Sequence, residues 1–370
     1  MPQFRKIPSE SAVIDWVKSG EFQLPPLRFQ ITRQETVTGR NSRWDFEMRA
    51  QWGDQTARFT VEYKPSSTPR TLATAISLCR TRALPRDCYP LILAPYLRPE
   101  QLDELERLQI SAVDLCGNGV VIIPNRLRVY RTGARNQFTT SVPIKNIYRG
   151  NTSLVARLFL TVPQYGSLRE IQQEINDRNV LATAGIAPPL SLGTVSKAVQ
   201  QLEDDLILER SAGGFRLLQG DKLLDQLQQN DGPSRTTARV RLKVNCPFER
   251  LPRWIAQQGG PEGSVWMATG LSSVARYATM QREEMLSLYT TNLAELQQRL
   301  DARQTDRFAN LELIETREPP LYFSAVDDDG FRWAPAVQTY LELMRGDKRD
   351  RETAAQVRDA ILKATVKVAV

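Results

Sequence analysis

Histidine is absent from this chain of 370 residues, and its absence excludes several kinds of site. Without an imidazole, the chain has no Ser-His-Asp or Cys-His nucleophile, no histidine general acid or base, and no imidazole metal ligand. Any catalysis would therefore have to use carboxylates, Lys, Arg, Tyr or a metal held by oxygen ligands.

Cysteines and long apolar runs are also scarce. The four cysteines, Cys79, Cys88, Cys116 and Cys246, show no CxxC spacing, which argues against a disulfide framework or a zinc site. No apolar run has the length needed to cross a bilayer. The N-terminal residues lead into neither an apolar core nor a cleavage site. We therefore expect a cytoplasmic protein that does not enter a membrane.

Positive charge is present in excess, with a net charge of +7 and a pI of about 9.3. Residues 125–149 carry several Lys and Arg without one acid, and residues 234–254 carry several against Glu249 alone. These two basic stretches lie on either side of residues 150–233. The distribution indicates binding to a polyanion. The alternative is a pair of solvated linkers.

Hydrophobic periodicity and length predict an α/β multidomain protein of three parts. Residues 1–148 alternate helices and strands in the order helix, three strands, helix, strand, helix, strands. Residues 149–232 are mostly helical. Residues 233–370 mix both types of element and end in two helices, which predicts an α+β C-terminal domain.

The middle part contains a helix with two contrasting faces. Ser191 is placed to cap it, and Val195, Ala198, Val199 and Leu202 recur at the spacing of one buried stripe. The opposite face carries Gly193, Lys197 and Gln200, flanked by Ser196 and Gln201. Such a face can enter the major groove and form hydrogen bonds with base edges.

Two short strand patterns, 206–210 and 215–218, follow this helix and are joined by Ser-Ala-Gly-Gly, which predicts a hairpin. The helix and hairpin together resemble the recognition helix and wing of bacterial winged-helix regulators. The stretch 177–190 before the helix is longer than the usual turn. The resemblance implies contacts with double-stranded DNA from the following residues: Ser191, Thr194, Ser196, Lys197, Gln200, Gln201, Arg210 and Arg216. The alternative is a winged helix used only for packing or dimerisation.

A pair of carboxylates is predicted in the first part. Gly53-Asp54 joins two strand patterns as a two-residue hairpin, and this register places Asp45 directly opposite Glu62. Strand alternation places Trp44, together with Phe46 and Met48, on the apolar face, and the carboxylates on the other. A divalent cation could hold two such carboxylates together. The alternative is a charged face that Arg43 and Lys64 neutralise.

Asp45 followed by Glu62-Tyr-Lys64 is similar to the PD-(D/E)XK nuclease signature, as is the order of elements around it. The resemblance implies a restriction-endonuclease-like domain over 1–148. It also implies Asp45, Glu62 and Lys64 as catalytic residues, with Asp45 and Glu62 as ligands of Mg²⁺ or Mn²⁺. The proline that usually precedes the first aspartate is absent.

Further stretches resemble bacterial AbiE-type (type IV) antitoxin-like regulators. They are Ala112-Val-Asp-Leu-Cys-Gly-Asn118, Ala268-Thr-Gly-Leu271, Ala275-Arg-Tyr277, Trp333 to Leu343, and Arg351 to Ala355. The resemblance implies an operator-binding regulator with an antitoxin-like domain over 233–370 and a nucleotidyltransferase-like toxin as partner. In the better-known members the winged helix comes first. Asp114 and Asn118 have the alternative role of capping a turn.

The sequence thus predicts a DNA-binding transcriptional regulator whose winged helix spans 149–232. The alternative is a metal-dependent DNA endonuclease that the same winged helix directs to its target. A homodimer is compatible with either function.

Overall fold

The computed structural model describes residues 7–37, 43–138, 146–211, 213–258, 263–279, 285–305 and 307–368. The chain divides into two compact units, Met1–Pro143 and Ile144–Val370. Both combine helices with sheets, which confirms the α/β class; the division into three domains stays a prediction. Within the described ranges, no helix is both long enough and apolar enough to cross a bilayer.

Unit 1 is built on one sheet of eight strands that lie side by side in chain order. Its elements are α1 (Glu10–Lys18), β1 (Gln23–Leu24), β2 (Leu27–Val37), β3 (Arg43–Trp52), β4 (Gln55–Tyr63), α2 (Pro69–Thr81), β5 (Cys88–Ala94), α3 (Pro99–Arg107), β6 (Ser111–Asp114), β7 (Gly119–Ile123) and β8 (Leu127–Arg131). The pairs β4–β5 and β5–β6 are parallel and the others are antiparallel.

The sheet of unit 1 is covered on both faces. One core combines Phe46 and Met48 of β3 with the buried side of α1. The other lies under α2 and α3 and contains Trp44, so the expectation that Trp44 shares a face with Phe46 is wrong. The pairing of β3 with β4 ends at Phe46–Val61, so Trp44 lies beyond that ladder and pairs with Thr36 of β2. Trp44 Nε1 instead donates a hydrogen bond to the Ala83 carbonyl at 3.1 Å.

Unit 2 contains sheets of three, five and two strands, in the orders β10-β11-β9, β13-β14-β16-β12-β15 and β17-β18. Its helices are α4 (Ser153–Phe159), α5 (Leu168–Arg178), α6 (Val180–Thr183), α7 (Leu192–Asp204), α8 (Gly220–Asn230), α9 (Leu251–Gln258), α10 (Leu293–Arg299), α11 (Pro319–Tyr322), α12 (Ala336–Arg345) and α13 (Lys348–Val368). Short 3₁₀ helices span Gly150–Thr152, Phe248–Arg250 and Leu271–Arg276.

The strands of unit 2 are β9 (Gln164–Tyr165), β10 (Leu208–Ser211), β11 (Gly214–Leu217), β12 (Ala238–Lys243), β13 (Trp266–Ala268), β14 (Leu286–Thr290), β15 (Arg303–Gln304), β16 (Leu311–Glu315), β17 (Val326–Asp328) and β18 (Phe331–Trp333). Both ladders of the three-stranded sheet, β10–β11 and β11–β9, are antiparallel. The five-stranded sheet contains one parallel pair, β14–β16.

One hydrophobic core joins helices from both halves of unit 2. It includes side chains of α4, α5, α7, α8, α12 and α13, among them Leu158, Ile175, Leu202, Leu224, Tyr340 and Ile361. The long stretch 177–190 contains α6, whose Leu181 packs in a separate core with Met267 and Tyr289 of the five-stranded sheet. The extra residues before α7 therefore attach this helix-rich region to the sheet.

Candidate functional sites

The start of α7 is held in place by hydrogen bonds from two directions. Ser191 Oγ accepts from the backbone N–H of Thr194 at 3.2 Å and caps the helix, as predicted. Asn176 of α5 binds the backbone of Leu190 on both sides: its Oδ1 accepts from the Leu190 N–H at 2.7 Å, and its Nδ2 donates to the Leu190 carbonyl at 3.2 Å. The end of α5 thus sets the direction in which α7 begins.

The side of α7 opposite its buried stripe lies on the outside of unit 2, and we call it the α7 polar face: Gly193, Lys197 and Gln200, flanked by Ser196 and Gln201. Val195, Ala198, Val199 and Leu202 are buried, as the periodicity predicts. Gly193, Lys197 and Gln200 are exposed, and Ser196 and Gln201 are half-buried. Within the described parts of the chain, Lys197 forms no ion pair. The helix therefore presents a small polar surface with one uncompensated positive charge.

An open cavity of about 560 Å³ adjoins the first turn of α7. Its polar lining residues are Asn146, Arg149, Asn151, Thr152, Ser191 and Thr194. Amides, hydroxyls and a guanidinium are the donors that proteins use to contact nucleic-acid phosphates. The polar surface of α7 thus continues onto the segment before α4.

The hairpin after α7 forms as predicted, from β10 and β11. Its turn requires Gly214, which has a φ of +109° and leaves no room for a side chain, since a Cβ there would lie 2.1 Å from the Tyr165 carbonyl oxygen. β11 can therefore pair closely with β9 on its other side.

The two arginines of the hairpin are both paired with acids. Arg210 forms two hydrogen bonds with the Glu203 carboxylate, at 3.1 and 3.0 Å. Arg216 Nη2 lies 2.8 Å from Glu209 Oε2. The sequence predicts these arginines as positive charges available to phosphates. The hairpin offers less unpaired positive charge than predicted, because both arginines have acidic partners within unit 2.

The two predicted carboxylates of unit 1 are Asp45, near the start of β3, and Glu62, near the end of β4. Their geometry differs from the prediction. The predicted register is correct from Phe46–Val61 to Trp52–Gln55. Asp45 precedes the first of these pairs and does not lie opposite Glu62 in the ladder. Its Oδ2 instead accepts a hydrogen bond from the backbone N–H of Tyr63 at 2.7 Å. The Asp45 carboxylate therefore caps the end of β4.

Glu62 is buried and bound by two cations. Lys64 Nζ lies 2.7 Å from Oε1, and Arg82 Nη1 lies 2.5 Å from Oε2. Sequence reasoning missed Arg82, which follows α2 and is brought to β4 only by the folding of α2 over the sheet. Beside Glu62, Glu47 and Thr60 are buried as well. Arg43, Arg49 and Arg58 on the same predicted face are exposed, so this face is buried only in part.

The pKa of the Asp45 carboxyl is well above its ordinary value. Burial raises the pKa of Asp45 to about 6, the hydrogen bond from Tyr63 opposes this shift, and the nearby charges of Glu62 and Glu10 add to it. A carboxyl of this kind exchanges its proton near neutral pH, as acid–base groups of enzymes do. The first turn of α1, which supplies Glu10, also belongs to this site and was not predicted.

The residues present do not fit a divalent metal in this arrangement. Among the residues that the structure describes, no group of three or more His, Cys, Asp or Glu side chains could hold a metal ion. Both oxygens of Glu62 are occupied by Lys64 and Arg82. A metal at Asp45 and Glu62 would first have to displace these cations.

Asp114 and Asn118 form a buried turn at the end of β6. The Asp114 carboxylate accepts hydrogen bonds from the backbone N–H groups of Leu97, Cys116 and Asn118 at 3.0, 2.8 and 2.8 Å, and from Asn118 Nδ2 at 2.7 Å. Burial raises the pKa of Asp114, and these hydrogen bonds oppose the shift. This geometry is the one expected of the turn-capping alternative.

The Thr269-Gly-Leu271 and Trp333–Leu343 stretches pack against each other. The Glu342 carboxylate accepts hydrogen bonds from the Leu271 N–H at 3.0 Å, from Tyr289 Oη at 3.0 Å and from Gln338 Nε2 at 2.8 Å. A Cβ at Gly270 would lie 2.8 Å from the Glu342 carboxyl carbon. Glycine therefore permits α12 to approach this segment closely, and both stretches contribute to folding.

No family model matches the chain, and no curated protein or solved structure shows significant similarity to it.

Proposed function

We propose that this chain is a DNA-binding transcriptional regulator whose residues 149–232 form a winged helix. The order α4, β9, α5, α7, β10, β11, with β9 paired to the hairpin, supports this assignment. The proposal places the protein in the cytoplasm, with double-stranded DNA as its partner. DNA binding is the central claim of the proposal, and the regulatory role comes from the resemblance to AbiE-type regulators.

The observation that carries the proposal is the exposure of the α7 polar face while the opposite stripe is buried. A recognition helix needs side chains that can reach base edges, a small cross-section and no negative charge. Gly193, Lys197 and Gln200 meet these requirements. The cavity beside Ser191 and Thr194 includes amide, hydroxyl and guanidinium side chains, which are suitable donors for the adjacent phosphates.

We expect Lys197→Glu to weaken binding to DNA from upstream of the chain's own gene by about ten- to a hundredfold. Loss of a charged contact with a base edge costs about 1–3 kcal/mol, and about 1.4 kcal/mol corresponds to a tenfold change in affinity. Binding of the unaltered protein should weaken steeply as salt rises. An electrophoretic mobility shift assay at several salt concentrations measures both effects. Adding Arg216→Glu should abolish the shift, because Arg216 lies directly opposite Glu209 and two acids would then face the DNA.

The matched control is Lys348→Glu, which makes the same charge change on a side chain that is 93% exposed and lies outside the α7 polar face. This variant should bind as the unaltered protein does. Unchanged binding by the double variant, or equal losses in Lys348→Glu and Lys197→Glu, would refute recognition through α7.

The AbiE-type resemblance extends the proposal to a nucleotidyltransferase-like toxin as a protein partner. Its stretches in unit 2 mainly build the fold, and support for the partner comes from the resemblance alone. Co-purification with the product of an adjacent gene tests this partner. Absence of that product from the purified complex would restrict the proposal to DNA binding.

The second candidate is a restriction-endonuclease-like fold over residues 1–148 that cleaves DNA with Mg²⁺ or Mn²⁺. The order α1, β2, β3, β4, α2, β5 supports the fold. The meeting of Asp45, Glu62 and Lys64 at the ends of β3 and β4 supports the site. The pairing of Glu62 with Arg82 and Lys64 opposes activity, because it leaves the carboxylate no free oxygen for a metal.

We expect supercoiled plasmid to stay intact when it is incubated with the purified chain and Mg²⁺ or Mn²⁺. Agarose gels of the plasmid, with and without chelator, provide the measurement. Metal-dependent nicking that disappears in Glu62→Ala would establish the nuclease and overturn this expectation. Nicking that persists in Glu62→Ala would reject the proposed site while indicating a nuclease elsewhere.

A further inference from the structure

Unit 2 contains a smaller cavity, of about 60 Å³, which three arginines line. Arg149 precedes α4, Arg157 lies on α4 and Arg345 ends α12. One water needs about 10–15 Å³ of such space. The cavity therefore has room for about four waters or one group of comparable size. The cavity thus combines a small volume with unusual positive charge.

Arg157 is the least accessible of the three, with 5% of its surface exposed. One guanidinium nitrogen donates to Gln338 Oε1 at 2.9 Å. Among the residues that the structure describes, its Nε has no hydrogen-bond partner. Burial lowers the pKa of Arg157 to about 10, so the side chain stays charged at neutral pH. A buried charged donor without an acceptor is costly unless a ligand or water supplies one.

Asp231 and Glu342 favour the charged form of Arg157, but neither accepts a hydrogen bond from its Nε. Asp231 is bound to Arg345 at 2.5 Å, and Glu318 is the other carboxylate of the lining. The lining thus holds three guanidinium groups and two carboxylates, and the Glu342 carboxylate is connected to Arg157 through Gln338. Arg149 is exposed, and a Cβ at Gly232 would lie 3.4 Å from its Nη2, so glycine leaves space for this side chain beside the cavity.

We propose that this cavity binds a phosphate-sized oxyanion that accepts hydrogen bonds from Arg157 and Arg149. The ligand would lie between α4 and Arg345 at the end of α12 and thereby stabilise unit 2. Inorganic phosphate and the phosphate group of a small monoester share the required chemistry. The site shares Arg149 with the larger cavity beside α7, whereas Arg157 lines only the smaller one, and phosphate binding does not depend on DNA binding.

The test titrates the full chain with inorganic phosphate, against sodium chloride of equal ionic strength, by calorimetry and thermal unfolding. We expect saturable binding and a melting temperature that rises with phosphate concentration. Arg157→Met should weaken binding by at least about tenfold, because it removes charged hydrogen bonds. The control Arg253→Gln, on an exposed position of α9, should bind phosphate normally.

Hydrogen exchange provides a second measurement that is independent of the folding of Arg157→Met. Phosphate should slow exchange in α4 and α12 of the unaltered chain, and Arg149→Gln should reduce this protection. A parallel titration with glycerol phosphate distinguishes a monoester ligand from the free ion. Phosphate effects no larger than those of chloride, or protection confined to the start of α7, would overturn the proposal.

Discussion

Asp114→Ala is expected to destabilise unit 1 by about 3–5 kcal/mol. The substitution leaves three backbone N–H groups without their acceptor, and each buried unsatisfied donor costs about 1–3 kcal/mol. The Asn118 amide loses one of two acceptors, because it also donates to the Ala134 carbonyl. Part of this loss is offset because the charged carboxylate no longer has to be buried. The turn also positions Leu97 before α3 and Cys116 after β6, so the loss should spread to both elements.

Urea unfolding with hydrogen exchange in β5, β6 and β7 measures this loss and assigns it to unit 1. Asp54→Ala, at an exposed position in the β3–β4 turn, is the matched control and should change stability by less than about 0.5 kcal/mol. Asp114→Asn keeps one oxygen and should fall between the two. A loss below about 1 kcal/mol in Asp114→Ala would contradict the structural role assigned to this carboxylate.

Glu342→Leu is expected to destabilise unit 2 by a similar amount, about 3–5 kcal/mol, as is typical when one member of a buried charged network is removed. The carboxylate accepts hydrogen bonds from Leu271, Tyr289 and Gln338. Gln338 in turn accepts from Arg157. Without Glu342, the Arg157 charge would be left buried without the carboxylate to which Gln338 connects it.

The measurement is chemical unfolding followed by hydrogen exchange in α12 and β14. Glu352→Leu is the matched control, since this glutamate lies on α13 with 68% of its side chain exposed. It should have little effect. If both substitutions cost the same, or if Glu342→Leu leaves the exchange of β14 unchanged, the network does not stabilise unit 2 as proposed.

Local sequence signals predicted most elements of unit 1 and the helix-rich part of unit 2. Ser191 is the cap that it is predicted to be, because capping depends on neighbours within one helical turn. The buried stripe of α7 follows from helical periodicity alone. The DNA-binding candidate could be located for the same reason, since a helix face is set by residues close together in sequence.

The carboxylate site was harder to predict because its geometry depends on distant residues. The hairpin register is correct, yet Asp45 binds the Tyr63 N–H instead of facing Glu62, because the ladder ends one pair earlier. Arg82 contacts Glu62 because α2 packs over the sheet, and Glu203, near the end of α7, forms an ion pair with Arg210. Ion pairs of this kind join residues whose spacing follows no local periodicity.

By itself, the sequence determined which residue types are missing from this protein and which local elements it forms. It excludes histidine chemistry, predicts the hairpins and caps, and sets the two faces of α7, because each depends on composition or on residues a few positions apart. Only the tertiary structure decided how charges are paired. Packing brings Arg82 to Glu62, Glu342 to Leu271 and Arg157 into a cavity, and burial then determines the electrostatic effect of each charge.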